Sequence, residues 1–163
     1  MSKKDLLEAI KGKPDLVERL LVVAESPNMP RCLSPQEVYE AVAHLLVGQP
    51  EERLVCVAMD RHNRILAIKE LTRGSDGFTV VDPRQIYRWA LQQGRSGAFQ
   101  IALAHNHPSG DPTPSEQDHD VTRRVAAAGR VLGITLVDHL VVGHGNWTSL
   151  AEQGHLPFTT GKY

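Results

Sequence analysis

Two histidines one residue apart, His105 and His107, followed by Ser115 and Asp118, are the residues whose types and spacing best suit chemistry. Ahead of them Phe99, Ile101 and Leu103 alternate with Gln100, Ala102 and Ala104. A period of two therefore puts His105 and His107 on the face of the larger apolar residues. Two imidazoles then project side by side from a strand end. Pro108 and Gly110 stop the strand, and a Pro-rich turn delivers Ser115 as a helix N-cap with Asp118 in the first helical turn. Two imidazoles and a carboxylate form a ligand set that zinc accepts, and a fourth position left for water separates a catalytic from a closed structural site. The same donors also accept Fe²⁺, Co²⁺ or Ni²⁺. Ser115-x-x-Asp118 is equally the pattern of a capping box, in which Asp118 reaches back to the Ser115 N–H and binds no metal. Surface histidines at strand ends are common too.

The elements that must position these groups follow from the rest of the chain. With 163 residues, 41% hydrophobic and 23% charged, it has the composition of one globular domain with a real core. A formal net charge of −1 supplies no global basic field for nucleic acid or anionic membrane. Arg88, Arg95, Arg123, Arg124 and Arg130 could form a local patch, although scattered arginines usually mark solvated faces. Cys32 and Cys56 are the only cysteines, which excludes a disulfide framework and a Cys-rich zinc site. The N-terminus shows no signal-peptide core and the chain has no apolar run of membrane-spanning length, so a cytoplasmic protein is expected.

Leu6, Leu7, Ile10, Leu16, Val17, Leu20 and Leu21 recur at helical spacing, broken by Gly12 and Pro14, and Ser26 to Pro30 reads as a linker. Residues 1–33 thus form a short helical segment and linker, and residues 34–163 the main domain. Ser34-Pro35-Gln36-Glu37 opens a helix with Val38, Ala41, Val42, Leu45 and Leu46 as its buried stripe. Arg53 to Met59, apolar on both faces, is expected to be a central strand, with Arg64 to Leu71 as its hairpin partner. In that partner Leu66, Ile68 and Glu70 share one face by period two, an unusual place for a carboxylate without a partner; alternatively Glu70 pairs with Arg73 in solvent. Phe78 to Val81 suggests a short edge strand, and Pro83 a helix capped by Asp82 and carrying Ile86, Tyr87, Trp89 and Leu91. After the histidines, Val121, Val125, Ala128 and Leu132 give a helix an inward stripe, ended by Gly133. Thr135 to Val142 and Trp147 to Leu150 close the order as strands, which describes an α/β fold: a mixed sheet with flanking helices.

His105-x-His107-Pro108 followed by Ser115-x-x-Asp118 resembles the JAMM (MPN-plus) metalloprotease signature in every signature residue and gap. The wording His105-Asn106-His107-Pro108-Ser109-Gly110 is similar to its RadC-like branch, and the similarity runs from about Arg53 to Gly154. The resemblance implies a cytidine-deaminase-like three-layer JAMM/MPN fold. It also implies Zn²⁺ on His105, His107 and Asp118, an upstream glutamate as general base, for which Glu70 is the candidate, and Ser115 stabilising an oxyanion. The expected activity is hydrolysis of a peptide or isopeptide bond, and the expected partner a protein, peptide or isopeptide-linked substrate.

Residues 1–33 lack the glycine hairpins of the helix-hairpin-helix region that RadC-like proteins often carry, which weakens a DNA-repair or replication role as the alternative. A non-catalytic MPN interaction module is the third reading, although such modules usually lack the ligands retained here. A deaminase would need a Cys-x-x-Cys pair and a Glu two residues after a His, and neither is present. Asp138 and His139 are candidates for the layer behind the ligands, His139 being otherwise a satisfied core histidine. No feature reads out the oligomeric state or the scissile bond.

Overall fold

The computed structural model describes residues 30–74 and 81–156. The expected helices of residues 3–25, most of the linker after them and nearly all of the Phe78–Val81 strand lie outside the described residues. In chain order the elements are α1 (Pro35–Leu46), β1 (Arg53–Met59), β2 (Ile65–Arg73), α2 (Pro83–Ala90), β3 (Gln100–Asn106), α3 (Glu116–Leu132), β4 (Thr135–Val142) and β5 (Trp147–Ser149). Among the described residues the order of elements from Pro35 to Ser149 is the one the sequence predicts.

The five strands form one mixed sheet in the order β2-β1-β3-β4-β5. Only the β3–β4 pair is parallel, and α3 makes the crossover between them. Apolar residues on both faces of the inner strands require a cover on each side. Val38, Val42 and Leu46 of α1 cover one face, packing on Val55, Val57, Met59, Ala102, Ala104, Leu140 and Val142. On the other, α2 and α3 cover Leu54, Cys56, Ala58, Ile101, Leu103 and Leu136. The result is the three-layer arrangement expected of the fold. Cys32 and Cys56 are buried in different layers, which keeps both thiols free.

The caps behave as the sequence predicts. The Ser34 side chain accepts from the Glu37 N–H, that of Asp82 from the Arg84 N–H, and Gly133 ends α3 in the left-handed region at φ 70°. Two expectations are corrected. β1 and β2 pair with bulges between Leu54 and Val55 and between Ala58 and Met59, so period two does not persist along β2. Leu66 packs in the α2/α3 layer, whereas Ile68 packs in the α1 layer. On α3 the buried stripe is Asp118, Val121, Thr122, Val125, Ala126 and Gly129, and Leu132 is 48% exposed. The stripe turns toward Gly129 because α2 sits close there: the buried Tyr87 hydroxyl donates to the Val125 carbonyl at 2.8 Å.

A Cβ on Gly129 would overlap the Tyr87 hydroxyl and the Ile134 carbonyl. Alanine in mid-helix gains about 1 kcal/mol of propensity over glycine, but overpacking against a backbone carbonyl costs about 1–3 kcal/mol. Gly129→Ala is therefore expected to lower the denaturant midpoint despite its better helix propensity. A midpoint at or above the wild-type value would show that α2 and α3 can separate at no cost.

Candidate metal centre

His105 is the penultimate residue of β3 and pairs with Leu54 of β1, which turns its side chain toward the α2/α3 layer with Ile101 and Leu103. It is fully buried. His107 follows the strand, and its N–H donates to the Val142 carbonyl at 2.9 Å, which extends the β4 contact past the strand end. The two Nε2 atoms lie 3.0 Å apart. Asp118 enters from the first turn of α3, with Oδ1 3.2 Å from His105 Nε2 and Oδ2 3.5 Å from His107 Nε2. Donors around a tetrahedral zinc with bonds of about 2 Å lie about 3.3 Å apart, so the spacing fits. Among the described residues this is the one group of three such side chains with ligand atoms all within 4.8 Å of one another.

The two sequence readings of Ser115-x-x-Asp118 coexist. Asp118 Oδ2 accepts the Ser115 N–H at 2.6 Å and Ser115 Oγ accepts the Asp118 N–H at 3.2 Å, a complete capping box. Oδ1 remains directed at His105. The cap thus orients the carboxylate and leaves it competent as a ligand. The start of α3 adds the positive end of its dipole. Burial opposes ionisation of Asp118, yet hydrogen bonds from His105, His107 and the Ser115 N–H hold its carboxyl well below the usual carboxylate range.

His107 Nδ1 lies 2.8 Å from the Asp111 carbonyl oxygen, which only accepts. A neutral His107 must therefore carry its proton on Nδ1, leaving an Nε2 lone pair facing the Asp118 carboxylate. Two acceptors at this distance repel unless a cation or a proton lies between them. The residues accordingly fit a divalent metal. In the metal-free protein a proton takes its place: the hydrogen bond that His107 donates to the Asp118 carboxylate raises the His107 pKa, helped by the Asp111 carbonyl and the Glu52 charge. Asp111 is itself fixed by a turn in which its carboxylate accepts the Thr113 N–H and hydroxyl.

Glu70 is not at this centre. It pairs in register with Val55, whereas His105 pairs with Leu54, so the two side chains leave opposite faces of the sheet. Arg73 binds its carboxylate at 3.0 Å and Arg53 at 3.5 Å, the solvent pairing that the sequence left open. Glu52, just before β1, is the carboxylate that shares the field of His105, His107 and Asp118. Burial, with a smaller push from Asp118, raises its pKa against the pull of the two histidines. Asn106, between the histidines and on the opposite face, holds the segment carrying it: its side chain accepts the Arg53 N–H at 2.9 Å and donates to the Glu51 carbonyl at 3.0 Å.

His139 of β4 shares the His105 face and is fully buried, with its Nε2 2.9 Å from His105 Nδ1. Its pKa falls well below the ordinary histidine value, chiefly through burial. Asp138 turns the other way and accepts the Ser149 hydroxyl at 2.7 Å and the Ala151 N–H at 3.1 Å, tying β4 to the turn after β5. Ser115 is exposed at the rim of the centre.

The family profile described as the RadC-like JAB domain matches residues 32–155. Similar proteins include the UPF0758 protein of Caldanaerobacter subterraneus subsp. tengcongensis, 35% identical over 91% of this chain and 62% of its own length. The UPF0758 protein of Symbiobacterium thermophilum is 39% identical over 76% of this chain and 51% of its own. That of Halalkalibacterium halodurans is 40% identical over 77% and 53%. The chain therefore spans about half to three-fifths of the length of these relatives. No described helix is long and apolar enough to cross a membrane.

The histidine shifts set a pH dependence. His139, with a depressed folded pKa, costs stability as pH falls below the unfolded histidine value of about 6.5. His107, with a raised folded pKa, contributes stability below that value and loses it as pH rises through the folded pKa. These two groups together are therefore expected to put the stability maximum of metal-free protein at about pH 6.5 to 7. Added zinc competes with the His107 proton and should move the maximum upward. Thermal melts across pH 5 to 8.5, with and without Zn²⁺, check this; identical profiles would mean that zinc does not replace that proton.

Proposed function

Since the chain belongs to the RadC-like JAB domain family, we propose that it is a zinc-dependent hydrolase of peptide or isopeptide bonds, with His105, His107 and Asp118 as ligands. JAB domains include metallohydrolases, and the observation that carries the reading is the convergence of three donor side chains, two buried and one half-buried, within 4.8 Å of one another and in the field of the Glu52 carboxylate. Zinc held by such a set lowers the pKa of water from 15.7 to about 7 and polarises a carbonyl oxygen.

The chain's own residues supply the proton traffic. Glu52, rather than Glu70, takes the proton of the attacking water and passes it to the departing amine. A carboxylate raised above its ordinary pKa is the stronger base for that transfer. Ser115 can offer its hydroxyl to the developing oxyanion, because its Oγ caps α3 as an acceptor and keeps its own proton to donate. Removing one such donor typically costs about 3 kcal/mol of transition-state stabilisation. The capping and catalytic roles of Ser115 are thus compatible. Asn106 acts at one remove, by holding the Glu52 segment against the end of β3.

The first test is elemental analysis of purified protein, expected to give about one zinc per chain in the wild type and none in His107→Ala. Peptide and isopeptide substrates are then screened with Glu52→Gln, which should keep zinc while turnover falls by at least the 10²–10⁴-fold typical of a lost general base. Glu70→Gln should retain turnover. Full activity in Glu52→Gln, or loss only in Glu70→Gln, would return the base role to Glu70.

A further inference from the structure

Behind the ligands, on the side away from solvent, four groups form a closed circuit of hydrogen bonds. Thr122 Oγ1 lies 2.6 Å from the Asp118 carbonyl oxygen and 2.6 Å from His139 Nδ1. His139 Nε2 lies 2.9 Å from His105 Nδ1. Thr122, His139 and His105 are all 0% exposed, so water does not supply alternative partners from bulk. The circuit begins and ends on metal-ligating residues.

Its donor directions follow from one fixed point. The Asp118 carbonyl only accepts, so at 2.6 Å the Thr122 hydroxyl must donate to it, or two oxygens would face each other without a proton. A hydroxyl has a single proton. Toward His139 the same oxygen can therefore only accept, and Nδ1 of His139 must carry N–H. In a neutral imidazole the other nitrogen is then a lone pair, so His139 Nε2 accepts from His105 Nδ1. That puts N–H on Nδ1 of His105 and leaves Nε2, which faces Asp118 and His107, as the nitrogen that can take a metal.

We infer that Thr122 and His139 are positioning residues that hold a proton on Nδ1 of His105, so that Nε2 is the nitrogen it offers to a metal. The inference rests on the metal reading of His105, His107 and Asp118. His107 reaches the same state in one step, through the Asp111 carbonyl. Each imidazole is thus set by a backbone carbonyl, one directly and one through two side chains. Such outer partners typically carry a 10–100-fold effect on metal affinity. Without the Thr122 acceptor, His139 is free to hold its proton on Nε2 and donate to His105 Nδ1. That would move the His105 proton to Nε2, where it must be displaced before a metal can bind.

The test needs no turnover. Two-bond ¹H–¹⁵N correlations of the histidine rings in metal-free wild-type protein should show both His105 and His139 with N–H on Nδ1. Zinc affinity, measured by chelator competition, should fall about 10–100-fold in Thr122→Val and return in Thr122→Ser. The Thr122→Val spectrum should show His105 shifted toward the Nε2–H form. An Nε2 proton on His139, or a His105 ring protonated on Nε2 alone, overturns the inference, as does unchanged zinc affinity in Thr122→Val. The wild-type spectrum decides the matter even where a variant does not fold. Failure of wild-type protein to take up zinc, with both rings Nδ1-protonated, sinks the proposed hydrolase and leaves the tautomer relay standing.

Discussion

The structure depends on one constraint: lone pairs and a carboxylate are gathered where there is little water to separate them. His105 and Asp118 are buried to within 1% of complete exclusion, and burying such groups is tolerated only when they are paired or hold a metal. The sheet supplies one histidine from inside β3 and one from just past its end. The helix supplies the carboxylate from its first turn, where the N-terminal amides favour negative charge. The capping box, the turn that presents the Asp111 carbonyl and the Thr122–His139 pair each restrict one of the three groups.

Both layers of the fold contribute. The α2/α3 layer faces the donors directly, but the α1 side is also required, because Asn106 points that way and fastens the chain just before β1. Neighbouring residues of one dipeptide step, His105 and Asn106, thus serve opposite faces of the sheet. The one is itself a donor of the cluster, and the other holds the strand entry that carries Glu52. Loop packing completes the arrangement: a Cβ on Gly143 would overlap the Gly110 carbonyl, and the His144 N–H donates to that carbonyl at 3.1 Å. The loop after His107 is therefore held against the loop after β4.

Much of this was legible in the sequence, for reasons that differ by residue. His105 sits in an uninterrupted alternating strand, where period two is reliable, and Ser115 and Asp118 sit at a helix start, where capping chemistry is local. Glu70 leaves the face opposite to His105 because the bulge at Leu66 shifts the period of β2, and that bulge depends on pairing with β1, which no local pattern reports. Glu52 lies in a segment without periodicity, and its placement depends on a tie from Asn106 to the Glu51 carbonyl, 55 residues apart in the chain. Thr122 carried a faint signal, one helical turn after Asp118 and so on the same helix face, but its partner on β4 needed the parallel register. Strand order was likewise beyond local reading.

The β3–α3–β4 crossover has a consequence for how the molecule can be handled. In open α/β sheets ligands collect at the carboxyl ends of parallel strands, and here the donors occupy that end and the start of the helix that follows. The other end of α3 is a 17-residue helix away, about 25 Å at 1.5 Å per residue. There the chain turns from Leu132 to Thr135 over Gly133 and Ile134, with Val131 85% exposed. That distal turn is a place where a fluorophore, a tether or a surface attachment can be installed while the donor cluster stays untouched.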